Sequence, residues 1–118
     1  MEIKISERNG LKYAEIIAEG IILSDLESAL DLIADYGYNG ADAMIIGNDN
    51  IAPEFFDLST RIAGEILQKY TQYGMRLAIT GDFGNVESKS LRDFIRESNK
   101  QGRILFVSSV EEALGMFK

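Results

Sequence analysis

The chain has 118 residues, 46% of them hydrophobic and 26% charged, a composition ordinary for a globular domain and sufficient for one core of its own. It contains no Cys and no His, which excludes disulfide frameworks, thiol nucleophiles, the usual zinc and haem sites, and every Ser-His or Cys-His catalytic arrangement. Its net charge of −7 disfavours nucleic acid as a partner, because binding to a polyanion draws on Lys and Arg to neutralise phosphates.

In chain order, Ile3 and Ile5 alternate with charged residues, Asn9-Gly10 supplies the pair tolerant of positive φ that a tight hairpin needs, and residues 11–18 return as a second strand. Ser24-Asp25-Leu26-Glu27 reads as a capping box. Leu26, Ala29, Leu30, Ile33 and Ala34 follow it at helical spacing, and the helix is expected to stop near Gly37. Asn39-Gly40 leads into a short buried strand, Ala43–Gly47. The sole proline, Pro53, sits where it opens a helical turn, and Asp57, Ser59 or Thr60 is expected to cap the longer helix that follows. Ile62, Ala63, Ile66, Leu67 and Tyr70 form the apolar stripe of that helix, Gly74 ends it, and residues 75–80 read as a strand. Beyond the loop Gly81-Asp82-Phe83-Gly84, a third helix carries Leu91, Phe94 and Ile95, with Ser90 as its expected cap and Gly102 as its end. Ile104–Val107 is a continuous apolar strand. Ser109 with Glu112 makes another capping box, and Val110, Ala113, Leu114 and Phe117 give a last amphipathic helix.

The order β-β-α-β-α-β-α-β-α predicts one α/β domain over residues 1–118: a mixed sheet of about five strands covered by about four helices, with right-handed crossovers between parallel neighbours. Ile45, Ile46, Leu77, Ile79, Leu105 and Val107 are expected to be buried in its central strands. No apolar run approaches the roughly 20 residues that cross a bilayer. The N-terminus, MEIKISERNG, lacks the apolar core of a signal peptide, so a cytoplasmic protein without membrane contact is the expectation.

In open α/β sheets, ligands and partners meet the loops beyond the carboxyl ends of the parallel strands. Three such loops are Asn48-Asp49-Asn50, Gly81-Asp82-Phe83-Gly84 and Ser108-Ser109. Beside them stand Asp57, Ser59, Thr60 and Arg61 at a helix mouth, where free backbone N–H groups attract a phosphate or carboxylate; caps and turns call for the same residue types. Asp49, Asp57 and Asp82 offer an alternative, since converging carboxylates hold Mg²⁺ without histidine. A phospho-receiver, however, begins with a β-α unit, and this chain begins with a hairpin. No P-loop, dinucleotide fingerprint or nucleophile elbow is present, and neither a catalytic residue nor a cofactor is assigned.

Lys89, Arg92, Arg96, Lys100 and Arg103 make a basic stripe along the third helix and its exit, interleaved with Asp93 and Glu97. Such lacing suits a solvated helix with weak ion pairs, or a docking face for an acidic partner. Residues 1–58 carry 3 basic and 12 acidic groups, residues 59–118 carry 9 and 7, so pairing between copies of the chain is a further reading. Phe55, Phe56 and Phe83 form either a contact patch or part of the core.

The element order and the segment FFDLSTRIAGEILQKYTQYGMRLAIT resemble STAS domains, the anti-sigma-factor antagonists of bacteria. In that family a Ser at the helix mouth is phosphorylated by a partner kinase to switch binding, which the resemblance places at Ser59 or Thr60 with Asp57 fixing the turn. Leu58 between Asp57 and Ser59, Arg61 in place of a Gly-rich turn, and the preceding Pro53 depart from that pattern. Over nearly its full length, and particularly in FFDLSTRIAGEILQKY and SKSLRDFIRESNKQGRILFVSSVEEAL, the chain is similar to a bacterial and archaeal family, domain of unknown function 4180, which implies no activity. The expectation is a noncatalytic protein-binding or regulatory module, STAS-like in fold. The alternative is an enzyme or phospho-ligand-binding domain using Asp49, Asp57 and Asp82.

Overall fold

The computed structural model describes the backbone from Glu2 to Lys118 and the side chains from Ile3 onward. Strands β1 (Glu2–Arg8) and β2 (Leu11–Ile17) form the expected hairpin. Asn9 and Gly10 both take positive φ, 53° and 83°, the turn whose twist matches that of the flanking strands. Next come α1 (Leu26–Tyr38), β3 (Ala43–Gly47), α2 (Ile62–Gln72), β4 (Arg76–Thr80), α3 (Lys89–Gln101), β5 (Ile104–Val107) and α4 (Val110–Met116). Between β3 and α2 the chain makes three short 3₁₀ turns, Asn48–Asn50, Pro53–Phe56 and Leu58–Thr60.

The sheet order is β1-β2-β3-β4-β5, antiparallel in the hairpin and parallel from β2 onward. Parallel strands laid down one beside the next, each joined by a right-handed crossover, must place all their crossover helices on the same face. The packing obeys this. Met44, Ile46, Leu77, Ile79, Ile104 and Phe106 point to one face and pack with buried residues of α1 and α2 and half-buried residues of α3. Ile45, Ala78, Leu105 and Val107 point to the other and meet only Ala113 and the half-buried residues of and around α4, with Tyr13 of β2. Among the described residues α4 is not a crossover between strands, so it is free of that rule and closes the second face over β4 and β5. The six strand residues expected in the core are all at most 2% exposed.

Several helix starts differ by a residue or two from the sequence reading. The α1 box is Asp25 with Ser28 and not Ser24 with Glu27. The Asp25 carboxylate accepts from the Ser28 N–H at 2.8 Å, and Ser28 Oγ accepts from the Asp25 N–H at 3.1 Å. An ionised carboxylate is the stronger acceptor at a helix start, and the short Ser28 hydroxyl reaches back where Glu27 was expected to. The Ser28 N–H and, beside it, the Ser28 hydroxyl hold the Asp25 carboxyl below the usual carboxylate range. Gly37 lies inside α1, which runs on to Tyr38. Ser88, not Ser90, caps α3 by accepting from the Leu91 N–H at 3.2 Å, so Ser90 lies within the first turn. At α4, Ser109 caps the Glu112 N–H as expected, but the Glu112 carboxylate accepts from Ser108 Oγ at 2.7 Å.

Candidate functional site

The carboxyl ends of β3, β4 and β5 bring the three candidate loops to one edge of the sheet. In open α/β sheets a ligand crevice forms there where the strand order reverses and successive crossovers diverge to opposite faces. Strands β2 to β5 follow one another without reversal, and α1, α2 and α3 share one face, so the edge has no such crevice. What it has is an open depression of about 430 Å³ beside Asp82, Phe83, Ser108 and Glu112.

The loop after β3 splits into three roles. Asp49 is exposed to solvent. Asn48 is half-buried with its amide laid across Gly81, where a Cβ would stand only 2.7 Å from Asn48 Cγ, so any side chain at position 81 would have to displace that amide. Asn50, which the sequence reading did not single out, is buried. Its Nδ2 donates to the carbonyls of Ala18 and Gly20 at 2.8 and 2.9 Å, and its own carbonyl accepts from the N–H groups of Ile22 and Leu23. It therefore fastens the link between β2 and α1 to the end of β3.

Around the helix mouth, Asp57 caps the 3₁₀ turn Leu58–Thr60 and not α2 itself. Its Oδ1 accepts from the Ser59 N–H at 3.1 Å and from Ser59 Oγ at 2.6 Å, and these two bonds hold the carboxyl below its ordinary value. Thr60 Oγ1 lies 2.9 Å from the Glu54 carbonyl and 2.8 Å from that of Asp57, and it accepts from the Ile62 N–H at 3.3 Å. Arg61 occupies the N-cap position of α2 in the left-handed conformation, φ 65°, and contributes no side-chain cap. The extra 3₁₀ turn is thus what separates Asp57 and Ser59 from the α2 N-terminus they were expected to cap. Asp57, Ser59, Thr60 and Arg61 are all exposed.

Asp82 accepts from the Gly84 N–H at 3.1 Å, a local turn that sets the loop after β4. Phe83 points inward from that loop. Its ring stands edge-on to Phe106 at 5.5 Å between centroids and 6.2 Å from Phe56, which meets the buried Phe55 at 5.1 Å. Phe55 is therefore core, and Phe56 and Phe83 carry the helix-side layer up to the sheet edge. Among the described residues no three acidic side chains are disposed to share a metal ion, so Asp49, Asp57 and Asp82 do not converge.

Three members of the basic stripe are engaged by α3 itself or by the loop that leads into it. Asp93 pairs with Lys89 at 2.8 Å and with Arg96 at 3.0 Å, which lowers its carboxyl, and Arg92 donates to the carbonyls of Val86 and Glu87. The Lys100 side chain is exposed, while its carbonyl accepts from the Lys118 ammonium. Two polar residues of α3 that escaped the sequence reading act on β5. Asn99 exchanges two hydrogen bonds with the backbone of Phe106, at 2.7 and 3.0 Å, and Ser98 Oγ donates to the Ile104 carbonyl at 2.6 Å. The available signal was their position: Leu91, Phe94 and Ile95 set an apolar stripe whose next members, at i+7 and i+8 from Leu91, are Ser98 and Asn99.

These features define an α/β domain whose carboxyl sheet edge is a firm surface of caps and turns over an aromatic layer. The chain belongs to the family described as Domain of unknown function (DUF4180), whose model matches residues 8–117. No curated protein matches it.

Proposed function

We propose that the protein is a noncatalytic binding module that meets a protein partner through the turn Asp57–Arg61. The observation that carries this reading is the combination of rigidity and exposure in that turn. Asp57 Oδ1 is bonded to Ser59 and Thr60 Oγ1 to the carbonyls of Glu54 and Asp57, which fixes the turn, while all four polar side chains stay at the surface. A preorganised projection of this kind loses little entropy when a partner seats on it. Arg61 keeps a left-handed backbone that a glycine would adopt without strain, and its guanidinium makes no hydrogen bond among the described residues. It is the donor best placed to take a carboxylate or phosphate of the partner.

A STAS-like switch at Ser59 fits the same turn. The Ser59 hydroxyl already donates to Asp57, so a phosphoryl group there would set two negative groups against each other and open the 3₁₀ turn. Capture from a native lysate with wild type, Ser59→Asp and Arg61→Glu tests the proposal. A partner held by wild type is expected to be lost with Arg61→Glu and weakened with Ser59→Asp. A partner recovered equally by all three would remove this surface from consideration.

A further inference from the structure

The two edges of the sheet are treated differently. In β5, the outward-pointing groups of Phe106 and the carbonyl of Ile104 are taken up by Asn99 and Ser98, so a further strand has no free ladder to join. In β1 the corresponding groups are open. The two-residue turn makes Arg8 and Leu11 a hydrogen-bonded pair, and antiparallel alternation then directs the N–H and C=O of Ser6 and Lys4 toward Tyr13 and Glu15. Ile3, Ile5 and Glu7 consequently aim theirs away from the sheet, where no strand lies among the described residues.

The side chains along that edge are also unfinished. Ile3 and Ile5 lie on the face of the buried Ile16 and Ala14, opposite which they pair, yet remain 38% and 46% exposed. The chain that leaves β2 does not fold back to cover them, because Asn50 draws Ala18 and Gly20 toward β3. An edge with open ladder groups and exposed isoleucines is a template for another strand.

We infer that this strand is β1 of a second copy, paired antiparallel about a twofold axis at Ile5. Outward groups must meet outward groups, which restricts the register to steps of two residues. With Ile5 opposite Ile5, Ile3 lies opposite Glu7 and Lys4 opposite Ser6, so like charges are kept apart. One step in one direction sets Lys4 against Lys4, and one step in the other sets Lys4 against Arg8; both oppose like charges directly. The charge pattern of β1 thus favours self-pairing in one register, joining two sheets into one continuous sheet. The inference stands independently of the role given to the turn Asp57–Arg61.

Sedimentation velocity from micromolar to about millimolar protein, with amide exchange followed by NMR, tests it. Wild type is expected to pass from monomer to dimer, and exchange at Ile3, Ile5 and Glu7 to slow as it does. Glu7→Pro removes only an outward N–H and leaves the β1–β2 ladder intact, and Ile5→Lys places two ammonium groups at the axis. Each is expected to weaken the dimer on the order of tenfold or more. Arg96→Glu, on α3, is expected to leave it unchanged. A wild type that stays monomeric, or a dimer indifferent to both β1 variants, would overturn the inference. Should either variant fail to fold, exchange in the wild type decides: outward β1 amides that exchange as fast in the dimer as in the monomer refute the pairing.

Discussion

Replacing Asn50 isolates one polar clasp in an otherwise apolar region. In Asn50→Ala the carbonyls of Ala18 and Gly20 lose their shared donor, and both bonds are short, 2.8 and 2.9 Å. Two hydrogen bonds at about 1 kcal/mol each, with some penalty for carbonyls that water only partly reaches, give an expected loss of about 2–3 kcal/mol. For a domain of this size that lowers Tm by roughly 10 °C. Asn50→Asp is the sharper variant, because it keeps the shape and sets a carboxylate against two carbonyl oxygens. Burial without a donor raises the folded-state pKa of that acid above its unfolded value near 4, so the folded protein binds the proton more tightly. Its deficit relative to wild type is therefore expected to be smallest below pH 4 and to grow as pH rises through the folded-state pKa. Urea denaturation of wild type and both variants between about pH 3 and 8 measures this. A loss under about 0.5 kcal/mol for Asn50→Ala, or an Asn50→Asp variant whose deficit relative to wild type does not change with pH, would refute the clasp.

Ile79, fully buried in β4, is expected to cost about 2–5 kcal/mol when cut to alanine, measured by the same denaturation. Asp25→Ala is expected to lower Tm at pH 7 and Ser24→Ala to leave it nearly unchanged, which separates the observed cap from its neighbour. Because the folded-state pKa of Asp25 is depressed, its contribution is present above the unfolded pKa near 4 and lost as pH falls through the folded value, so the Asp25→Ala difference should shrink in acid. Arg61→Gly relieves a left-handed residue at some cost in unfolded-state entropy, and stability is expected to stay level or rise by up to about 1 kcal/mol; a loss above about 0.5 kcal/mol would mean the side chain contributes packing or bonds not seen here.

Periodicity carried the fold well where a segment is buried on one or both faces. The bounds of β3 and β5 follow from apolar runs closed by glycine or serine, and the hairpin from Asn9-Gly10. Cap positions were less legible because Ser24 and Asp25, or Ser88 and Ser90, offer equivalent side chains a residue or two apart, and only the backbone angle at each decides which one caps. The stretch Asn48–Arg61 was hardest. Its three 3₁₀ turns repeat no period long enough to detect, so Asp57 and Ser59 were assigned to the wrong helix start. The strand order was also outside the reach of local pattern. The element order requires crossovers but does not say whether they continue in one direction or reverse, and that choice decides whether a crevice opens at the carboxyl edge.

The same choice explains why the molecule presents edges and turns and not a pocket. With the three crossover helices committed to one face, α4 alone is left for the other, and it packs over β4 and β5. The hairpin half of that face carries polar groups in their place, such as Lys4, Ser6, Glu15 and Arg8, the last fixed to Glu111 of α4 by paired bonds of 2.8 and 2.9 Å. Strand β1 is consequently backed by β2 alone, with only part of its isoleucine surface covered. An edge strand held on one side only is the least supported of the sheet, so the strand that gains most from a further neighbour is the one whose ladder is open.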